Sequence, residues 1–253
     1  MLSSQTKETI KIPLADGFDY PVGKPHAEGY YVFRGYWPNG HLGEDWNGNG
    51  GGNTDLGDPV YAIADGIAVY SSDYGMGWGN VIILRHAYRD GQGRVMYIDS
   101  LYGHLDRRDA RMDQIVKRGQ QIGTIGTAHG KYYAHLHFEI RKNLQIGMKR
   151  SSFKKDHSCY HNPRTFIRNH RQLRPERRWQ LVAVNTFGSS QPLSNVGATP
   201  KPVNIPTRQV DKKRVLDEAL ERIMEANRKI PEVTDEEMDT FWSKLKGKLK
   251  RGR

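Results

Sequence analysis

Four histidines and one aspartate, residue types that bind and use zinc in hydrolases, fall in three short motifs of this chain. They are His41, Asp45, His104, His135 and His137. A hydrolytic zinc ion takes three protein ligands and keeps one position for water, whose pKa it lowers toward about 7. A further side chain must then move protons near neutral pH, which suits histidine. Three of the five can therefore bind metal, and two remain for proton handling or oxyanion stabilisation.

The spacing of these residues predicts the elements that hold them. His135 and His137 stand two apart in an apolar and aromatic run, which predicts a β-strand with both imidazoles on one face. His41 and Asp45 lie in a segment rich in Gly and Asn, residues 39–53, which predicts turns and loops. Each motif alone is weakly specific, and the prediction depends on their combination on Gly-punctuated strands.

The segment between the first and last motifs consists of short β-branched or aromatic runs. These runs lie at residues 60–64, 66–70, 80–84, 95–98 and 121–126. Turn sequences such as Asp65-Gly66 and Asp90-Gly91 separate them, and no helical period of useful length is present. The pattern predicts a mainly β, Gly-rich antiparallel domain, either a sandwich or a flattened barrel.

The stretch from about Gly40 to Ile140 resembles the lysostaphin/LytM-type zinc endopeptidases, which cleave peptide bonds in bacterial peptidoglycan. The matching segments are His41-Leu42-Gly43-Glu44-Asp45-Trp46, residues 57–66, 77–86, 102–105 and 116–123, and Ala134-His135-Leu136-His137-Phe138-Glu139. The resemblance implies the Gly-rich antiparallel fold of that family, the duplicated hybrid motif.

Carried over position by position, the resemblance implies that His41, Asp45 and His137 bind a Zn²⁺ cofactor. It implies that His104 and His135 are catalytic, orienting water and stabilising the oxyanion. The expected function is a zinc metalloendopeptidase acting on peptidoglycan stem peptides or cross-bridges, or on another Gly-containing peptide. The alternative is a non-catalytic cell-wall-binding or regulatory module. Relatives that act as regulators lose some of the five residues, whereas this chain keeps all five.

Three further residues are candidates for contact with substrate or for support of the metal ligands. Tyr36, just ahead of the first motif, could lend its hydroxyl to an oxyanion or pack at a strand end. Glu139 shares the strand face of His137 and could accept an N–H from a ligand histidine or form a plain salt bridge. His129, on the loop before the last motif, could touch substrate or be solvated.

The sequence departs from the resembled pattern at three places. Residues 47–56 look like an insertion after the first motif. Residues 97–101 stand before Tyr102-Gly103-His104, where the family proceeds more directly to its histidine. Ala134 occupies a position where relatives usually carry Gly or Pro. We expect these departures to change the shape of the substrate groove more than the metal site.

The composition leaves several classes of partner open. The formal charge of +11 suits a polyanion, but no nucleic-acid-binding motif is present, so no nucleic acid is expected. No stretch approaches the roughly 18 apolar residues of a membrane span, and no secretory signal stands in the first thirty residues. The resemblance nevertheless implies the cell envelope, periplasmic or extracellular. Cys159 is the only cysteine, so no internal disulfide is expected.

We predict four regions along the chain. An N-terminal extension covers residues 1–35, the zinc metallopeptidase β domain 36–169, a basic segment and linker 170–210, and a helical basic tail 211–253. Apolar residues at three- and four-residue spacing after position 214 predict one amphipathic helix, and Thr234-Asp235-Glu236-Glu237 is a capping box for a second. The Lys- and Arg-rich end could bind an anionic surface or fold back on the protein.

Overall fold

The computed structural model describes residues 8–75, 77–173 and 178–187. The predicted helical tail at 211–253 and the linker from residue 188 onward lie outside the described residues. Within the described ranges, no helix is long and apolar enough to cross a membrane.

β-Strands make up most of the regular structure. They are β1 (Thr9–Pro13), β2 (Tyr30–Arg34), β3 (Glu44–Gly48), β4 (Pro59–Tyr61), β5 (Gly66–Asp73), β6 (Asn80–Arg89), β7 (Val95–Arg108), β8 (Ile115–Val116), β9 (Gln121–Ile125), β10 (Leu136–Arg141), β11 (Tyr160–His161) and β12 (Trp179–Ala183). Helical structure is limited, in these ranges, to turns at Gly23–Ala27 and Arg150–Ser152 and to α1 (Pro163–Asn169).

Every strand pairing is antiparallel. The main sheet has the order β2-β3-β10-β7-β6-β5-β8, while β11 pairs with β10 and β9 pairs with both β4 and β7. A separate two-stranded sheet joins β1 to β12. The predicted mainly β, antiparallel fold is therefore confirmed.

Both faces of the central strands are buried. In β6, Ile82 and Leu84 point into one hydrophobic cluster, and Val81 and Ile83 point into another. The first cluster is closed by Phe166 and Ile167 of α1, and the second by Ile12 of β1 and Val182 of β12. Successive strand residues face opposite sides, so an unbroken apolar run marks a strand covered on both faces. This layering gives the predicted sandwich.

A buried ion pair ties the second layer to the sheet. Arg85 of β6 donates to the Asp99 carboxylate of β7 through Nε at 2.7 Å and Nη2 at 2.8 Å. The same guanidinium donates to the backbone oxygens of Leu144 and Ala183. One side chain therefore joins the central sheet to β12, where the chain returns along the second layer.

Three sequence predictions differ from the structure in extent. The strand expected over 60–64 ends at Tyr61, because the next two N–H groups donate to the backbone of Gln120 and to the Tyr102 hydroxyl. Residues 97–101, described above as standing before Tyr102-Gly103-His104, form one continuous strand with it. They are the middle of β7, which pairs with β6 and β10. Residues 30–34, placed in the extension before the domain, form an edge strand of the main sheet.

Candidate metal centre and active site

Strand β10 presents polar side chains on one face and apolar ones on the other. Leu136, Phe138 and Ile140 enter the hydrophobic core. His137 and Glu139 point to the opposite face, as the predicted alternation requires. His137 lies directly across from Asp45 of β3 and, on its other side, from Gly103 of β7. Asp45 is therefore fixed on a strand, whereas the sequence had indicated a loop for this residue.

Three side chains converge on one point and could hold a metal ion: His41, Asp45 and His137. His41 Nε2 lies 3.1 Å from Asp45 Oδ1 and 3.2 Å from His137 Nδ1. Asp45 Oδ1 lies 2.7 Å from His137 Nδ1. A tetrahedral zinc ion with bonds of 2.0–2.1 Å needs ligand atoms about 3.3 Å apart, so small adjustments would suffice.

The opposite nitrogen of each ligand histidine is already engaged. His41 Nδ1 lies 2.9 Å from the Gly35 carbonyl oxygen, and His137 Nε2 lies 3.0 Å from Glu139 Oε1. Both neighbours are acceptors, so these nitrogens carry the protons, and His41 Nε2 and His137 Nδ1 are the ones that face Asp45. The residues present therefore fit a cation held between two imidazoles and a carboxylate.

The electrostatics of this cluster favour a positive charge at its centre. Burial alone would raise the pKa of Asp45, but hydrogen bonds with His137 and His41 outweigh burial and hold the pKa below its usual range. Burial opposes protonation of His137, yet its hydrogen bonds to Asp45 and Glu139 raise its pKa. A cation bound between these side chains would supply such a charge.

Gly43 explains how the first motif reaches β10. A Cβ at this position would lie 2.5 Å from the Phe138 carbonyl oxygen and 3.0 Å from His137 Cε1. These separations are too short for any side chain. The glycine between His41 and Asp45 therefore lets the backbone pass close enough for both residues to meet His137.

His104 lies beside the metal triad in a left-handed backbone conformation, with φ of 62°. Its backbone N–H and its ring Nδ1 both lie within hydrogen-bonding distance of the Trp78 carbonyl oxygen, at 2.9 and 3.2 Å. A strained backbone that is held by specific bonds is common at functional sites. Burial, followed by the nearby His137 and His135, lowers the pKa of His104 to about 3. The imidazole is therefore neutral near pH 7.

His135 faces His104 across the site, with ring centroids 4.8 Å apart. Its Nδ1 lies 2.8 Å from the Tyr133 carbonyl oxygen, so Nδ1 carries a proton and Nε2 is left as a proton acceptor. Nε2 lies 3.9 Å from Asp45 Oδ1. The structure thus brings all five predicted residues together, three at the candidate metal position and two beside it.

A cavity of about 320 Å³ opens over these residues. It is lined by Phe33, Arg34, His41, Asp45, Gly77, Trp78, His104, Tyr132, His135, His137 and Arg150. Sequence reasoning did not assign a role to Phe33, Arg34, Trp78, Tyr132 or Arg150. Trp78 lies in the matching segment 77–86, whereas Arg34 and Arg150 lie in none of the matching segments.

A second cavity, of about 700 Å³, adjoins the first and shares three lining residues with it: Phe33, Tyr132 and His135. Its wall includes Asn47, Gly52 and Asn53, which belong to the insertion at 47–56, and Lys131 on the facing loop. Residues of the segment 47–56 therefore line the groove next to the candidate active site.

The three auxiliary candidates lie at different distances from the chemistry. Glu139 is fully buried and contacts His137 directly. The Tyr36 hydroxyl lies 3.4 Å from His157 Nδ1, and the exposed His129 has its Nε2 3.0 Å from Asp73 Oδ2. Neither Tyr36 nor His129 lines the two cavities. Of the three, Glu139 alone touches a candidate metal ligand.

Residues 40–148 match the sequence profile of peptidase family M23. The chain is 40% identical over 85 residues to the lipoprotein NlpD of Yersinia enterocolitica, covering 34% of this chain and 78% of that protein. This chain belongs to peptidase family M23. The resemblance to lysostaphin- and LytM-type peptidases is thereby confirmed.

Two longer relatives carry names that differ in function. The murein hydrolase activator NlpD of Salmonella dublin is 38% identical over 112 residues, which are 42% of this chain and 27% of that protein. The peptidoglycan DD-endopeptidase ShyC of Vibrio cholerae is 36% identical over 88 residues, 35% of this chain and 18% of that protein. The chain thus spans well under two thirds of either relative.

A solved structure to which this chain is similar is the catalytic domain of the antimicrobial peptidase lysostaphin from Staphylococcus simulans. The identity is 28%, the alignment covers 55% of this chain and 90% of that domain, and the TM-score is 0.37.

Proposed function

We propose that this protein is a zinc-dependent endopeptidase that hydrolyses peptide bonds in bacterial peptidoglycan. The observation that carries the proposal is the complete set of five residues around one open cavity. Three of them converge on a cation position, and His104 and His135 stand beside it with a nitrogen free to accept a proton. We place the catalytic domain at residues 36–169, together with the edge strand β2 that precedes them and pairs with β3.

Zn²⁺ would be held by His41 Nε2, Asp45 Oδ1 and His137 Nδ1. When bound, zinc lowers the pKa of a water molecule and polarises the carbonyl under attack. His104 and His135 each direct Nδ1 toward a backbone carbonyl, which leaves Nε2 to take a proton from water or, once protonated, to stabilise an oxyanion and protonate the leaving amine. Fixed imidazole orientation makes these transfers efficient, because the ring does not have to reorient during the reaction.

A second candidate function is regulation of another wall hydrolase without hydrolysis by this chain. The similarity to a protein named a murein hydrolase activator favours it. The intact five-residue set favours the enzyme, because a module that only binds does not need two further histidines held beside a metal triad. The two functions make opposite predictions for the purified protein acting alone.

The test of the enzyme proposal uses zinc-loaded protein and purified peptidoglycan. New free amines and released fragments are measured by mass spectrometry for the wild type, His104→Ala and the exposed control His26→Ala. The proposal predicts cleavage by the wild type and the control, and a loss of about 10²–10⁴-fold in His104→Ala with zinc still bound. Absence of cleavage by wild-type protein that holds one zinc per chain would contradict it.

The same preparation tests regulation. A murein hydrolase is added at a concentration that digests peptidoglycan slowly, with and without this protein. Stimulation that is equal for the wild type and His104→Ala, when neither cleaves alone, would establish the regulatory role and exclude the enzyme.

A substrate in peptidoglycan places the protein in the cell envelope, periplasmic or extracellular, and the name lipoprotein carried by one relative supports that location. The formal charge of +11 is compatible with an anionic wall as the surrounding surface. Fractionation of cells that express the chain tests the location: recovery with the envelope supports it, and recovery only in the cytoplasm contradicts it.

A further inference from the structure

Two arginines that the family match does not include reach the candidate active site. Arg34 ends β2, and Arg150 begins the short helical turn Arg150–Ser152. The match covers residues 40–148, so both lie outside it. Both side chains line the cavity that contains the five candidate residues. Guanidinium groups are suited to binding carboxylates, because two N–H donors match two oxygens in one plane.

Arg34 is held at the cavity by its backbone and by an aromatic ring. The register of β2 against β3 shifts between Val32 and Arg34, which places Arg34 opposite Asp45. Such a bulge redirects the side chains around it. The guanidinium carbon lies 5.0 Å from the centre of the Trp37 ring, a cation–π contact that orients the group. Within the described residues, Arg34 is exposed and forms no ion pair with a carboxylate.

Arg150 is positioned in a similar way by a second aromatic ring. Its guanidinium lies 5.0 Å from the centre of the Trp78 ring, and Trp78 also lines the cavity. Its contact with a carboxylate is the long one to Glu139, at 3.4 Å. Glu139 already pairs with Arg141 at 2.7 Å and with His137 at 3.0 Å. One carboxylate shared by these three groups leaves the positive charge of Arg150 incompletely balanced.

The surrounding groove adds further positive charge and little negative charge. Asp45 is the single acidic residue among the residues that line the two adjoining cavities, and it belongs to the metal triad. The second cavity adds Lys131. A bound divalent cation would offset the charge of Asp45 and make the groove more positive still. The local field therefore favours an anionic ligand.

We propose that Arg34 and Arg150 bind a carboxylate of the substrate close to the scissile bond, so that the preferred substrate is an acidic stem peptide and not a neutral glycine cross-bridge. This inference rests on the proposed function and defines its substrate class. A neutral oligoglycine offers these guanidinium groups only backbone carbonyls. A stem peptide with free carboxylates offers a bidentate, charge-assisted partner.

The test uses three peptides. Two are synthetic cross-linked stem peptides of the same sequence: in one, the carboxylates beside the cross-link are free, and in the other they are converted to carboxamides. The third is pentaglycine, which represents the neutral cross-bridge. Binding is measured by calorimetry in zinc-loaded His104→Ala protein, so that it does not depend on turnover. Hydrolysis of the same peptides is measured with the wild type. The variants are Arg34→Gln, Arg150→Gln and Arg150→Lys, with exposed Arg111→Gln as a control that lines neither cavity.

We expect the free-carboxylate peptide to bind about tenfold or more tightly than its amide, a typical gain for charged hydrogen bonds. Arg34→Gln and Arg150→Gln should each remove much of that preference, with KM rising more than kcat falls, and Arg150→Lys should restore part of it. Arg111→Gln should bind as the wild type does. Because Arg150→Gln also removes a partner of Glu139, the exposed Arg34 provides an independent second test.

Equal binding of the acid and amide peptides, or tighter binding of pentaglycine, would overturn this inference even if hydrolysis occurs. Preferential binding of the acid peptide without hydrolysis by the wild type would support the inference and reject the proposed enzyme.

Discussion

Asn53 accepts a hydrogen bond from the backbone N–H of Ala134, with its Oδ1 2.8 Å from that nitrogen. The Ala134 carbonyl oxygen in turn accepts a longer bond, of 3.4 Å, from Asn47 Nδ2. Both asparagines belong to the insertion at 47–56, and Ala134 immediately precedes His135. Two departures from the family pattern, the insertion and the alanine, are therefore physically linked. Side chains of this segment hold the backbone that leads into His135 and β10.

We predict that Asn53→Ala lowers kcat/KM about tenfold, because small displacements of a catalytic group are costly to rate. Bound zinc should remain at the wild-type level, since no metal ligand contacts Asn53. The measurements are kinetics on the acid stem peptide and metal content by atomic spectroscopy. Exposed Asn49→Ala, in the same insertion, is the matched control. Equal rates for both variants would show that the insertion does not position His135.

Much of the fold followed from local pattern. The Gly-separated β-branched runs predicted most of the strands, because residues such as Val81 to Leu84 must be buried in a chain with few other apolar segments. The spacing of His135 and His137 predicted one strand with a common face. His137 lies in β10, His135 immediately precedes that strand, and both side chains line the same cavity. The strand that carries Asp45 was missed, because Gly and Asn dominate its surroundings and the pairing with β10 overrides their turn preference.

The rest of the site depends on contacts between residues far apart in sequence. Arg150 is near Trp78 only after the chain has folded, and no periodicity links them. His129 contacts Asp73, and the ring of Tyr36 packs against His157. The sequence around His129 or Tyr36 does not reveal these contacts. The roles of His104 and His135 came from resemblance and remain predictions that the variants above test.

The buried His86 should make stability depend on pH. Its ring bonds the Asp65 carbonyl at 2.8 Å and the Ser100 hydroxyl at 2.7 Å, and burial lowers its pKa to about 4. Because the folded pKa lies below the unfolded value of 6.5, the contribution is complete above pH 6.5 and is lost as pH falls toward 4. We expect a loss of about 3 kcal/mol across that window.

Urea unfolding at pH 7 and pH 5 tests this prediction. His86→Gln should lower stability at pH 7 and show a smaller decrease toward pH 5 than the wild type. Part of the dependence should remain, because burial also lowers the pKa of His161 to about 3. Exposed His26→Gln serves as the control and should keep the full dependence. Parallel pH profiles for the wild type and His86→Gln would contradict the assignment.

Breaking the Arg85–Asp99 pair should be far more costly than breaking a surface pair. Asp99→Asn leaves a fully buried guanidinium without a counter-charge, so we expect a loss of about 3–5 kcal/mol in the free energy of unfolding. The comparison is Asp90→Asn, whose partner Arg94 is largely exposed, and we expect a much smaller loss for this variant because water screens the pair. Chemical denaturation of both variants gives the values. Similar losses of unfolding free energy in the two variants would mean that the buried Arg85–Asp99 pair contributes no more to stability than a surface pair.

Glu139 should set the affinity of the metal site without touching the metal. Burial opposes its ionisation, but Arg141, followed by the hydrogen bond to His137, holds its pKa below the usual range. The carboxylate therefore stays charged and accepts the Nε2–H of His137, which keeps Nδ1 directed at the metal position. Carboxylates in this position commonly account for about 10–100-fold in metal affinity. We predict a loss of that size in Glu139→Gln.

The glutamine variant is the informative one, because its amide oxygen still accepts the hydrogen bond while the charge is lost. Glu139→Ala would also leave the buried Arg141 without its carboxylate partner, so this variant should unfold more easily. Zinc affinity is measured by competition with a chromophoric chelator, beside exposed Glu28→Gln as control and His41→Ala as a variant that lacks a ligand. Wild-type affinity in Glu139→Gln would show that orientation by hydrogen bonding suffices and that the carboxylate charge adds nothing to metal binding.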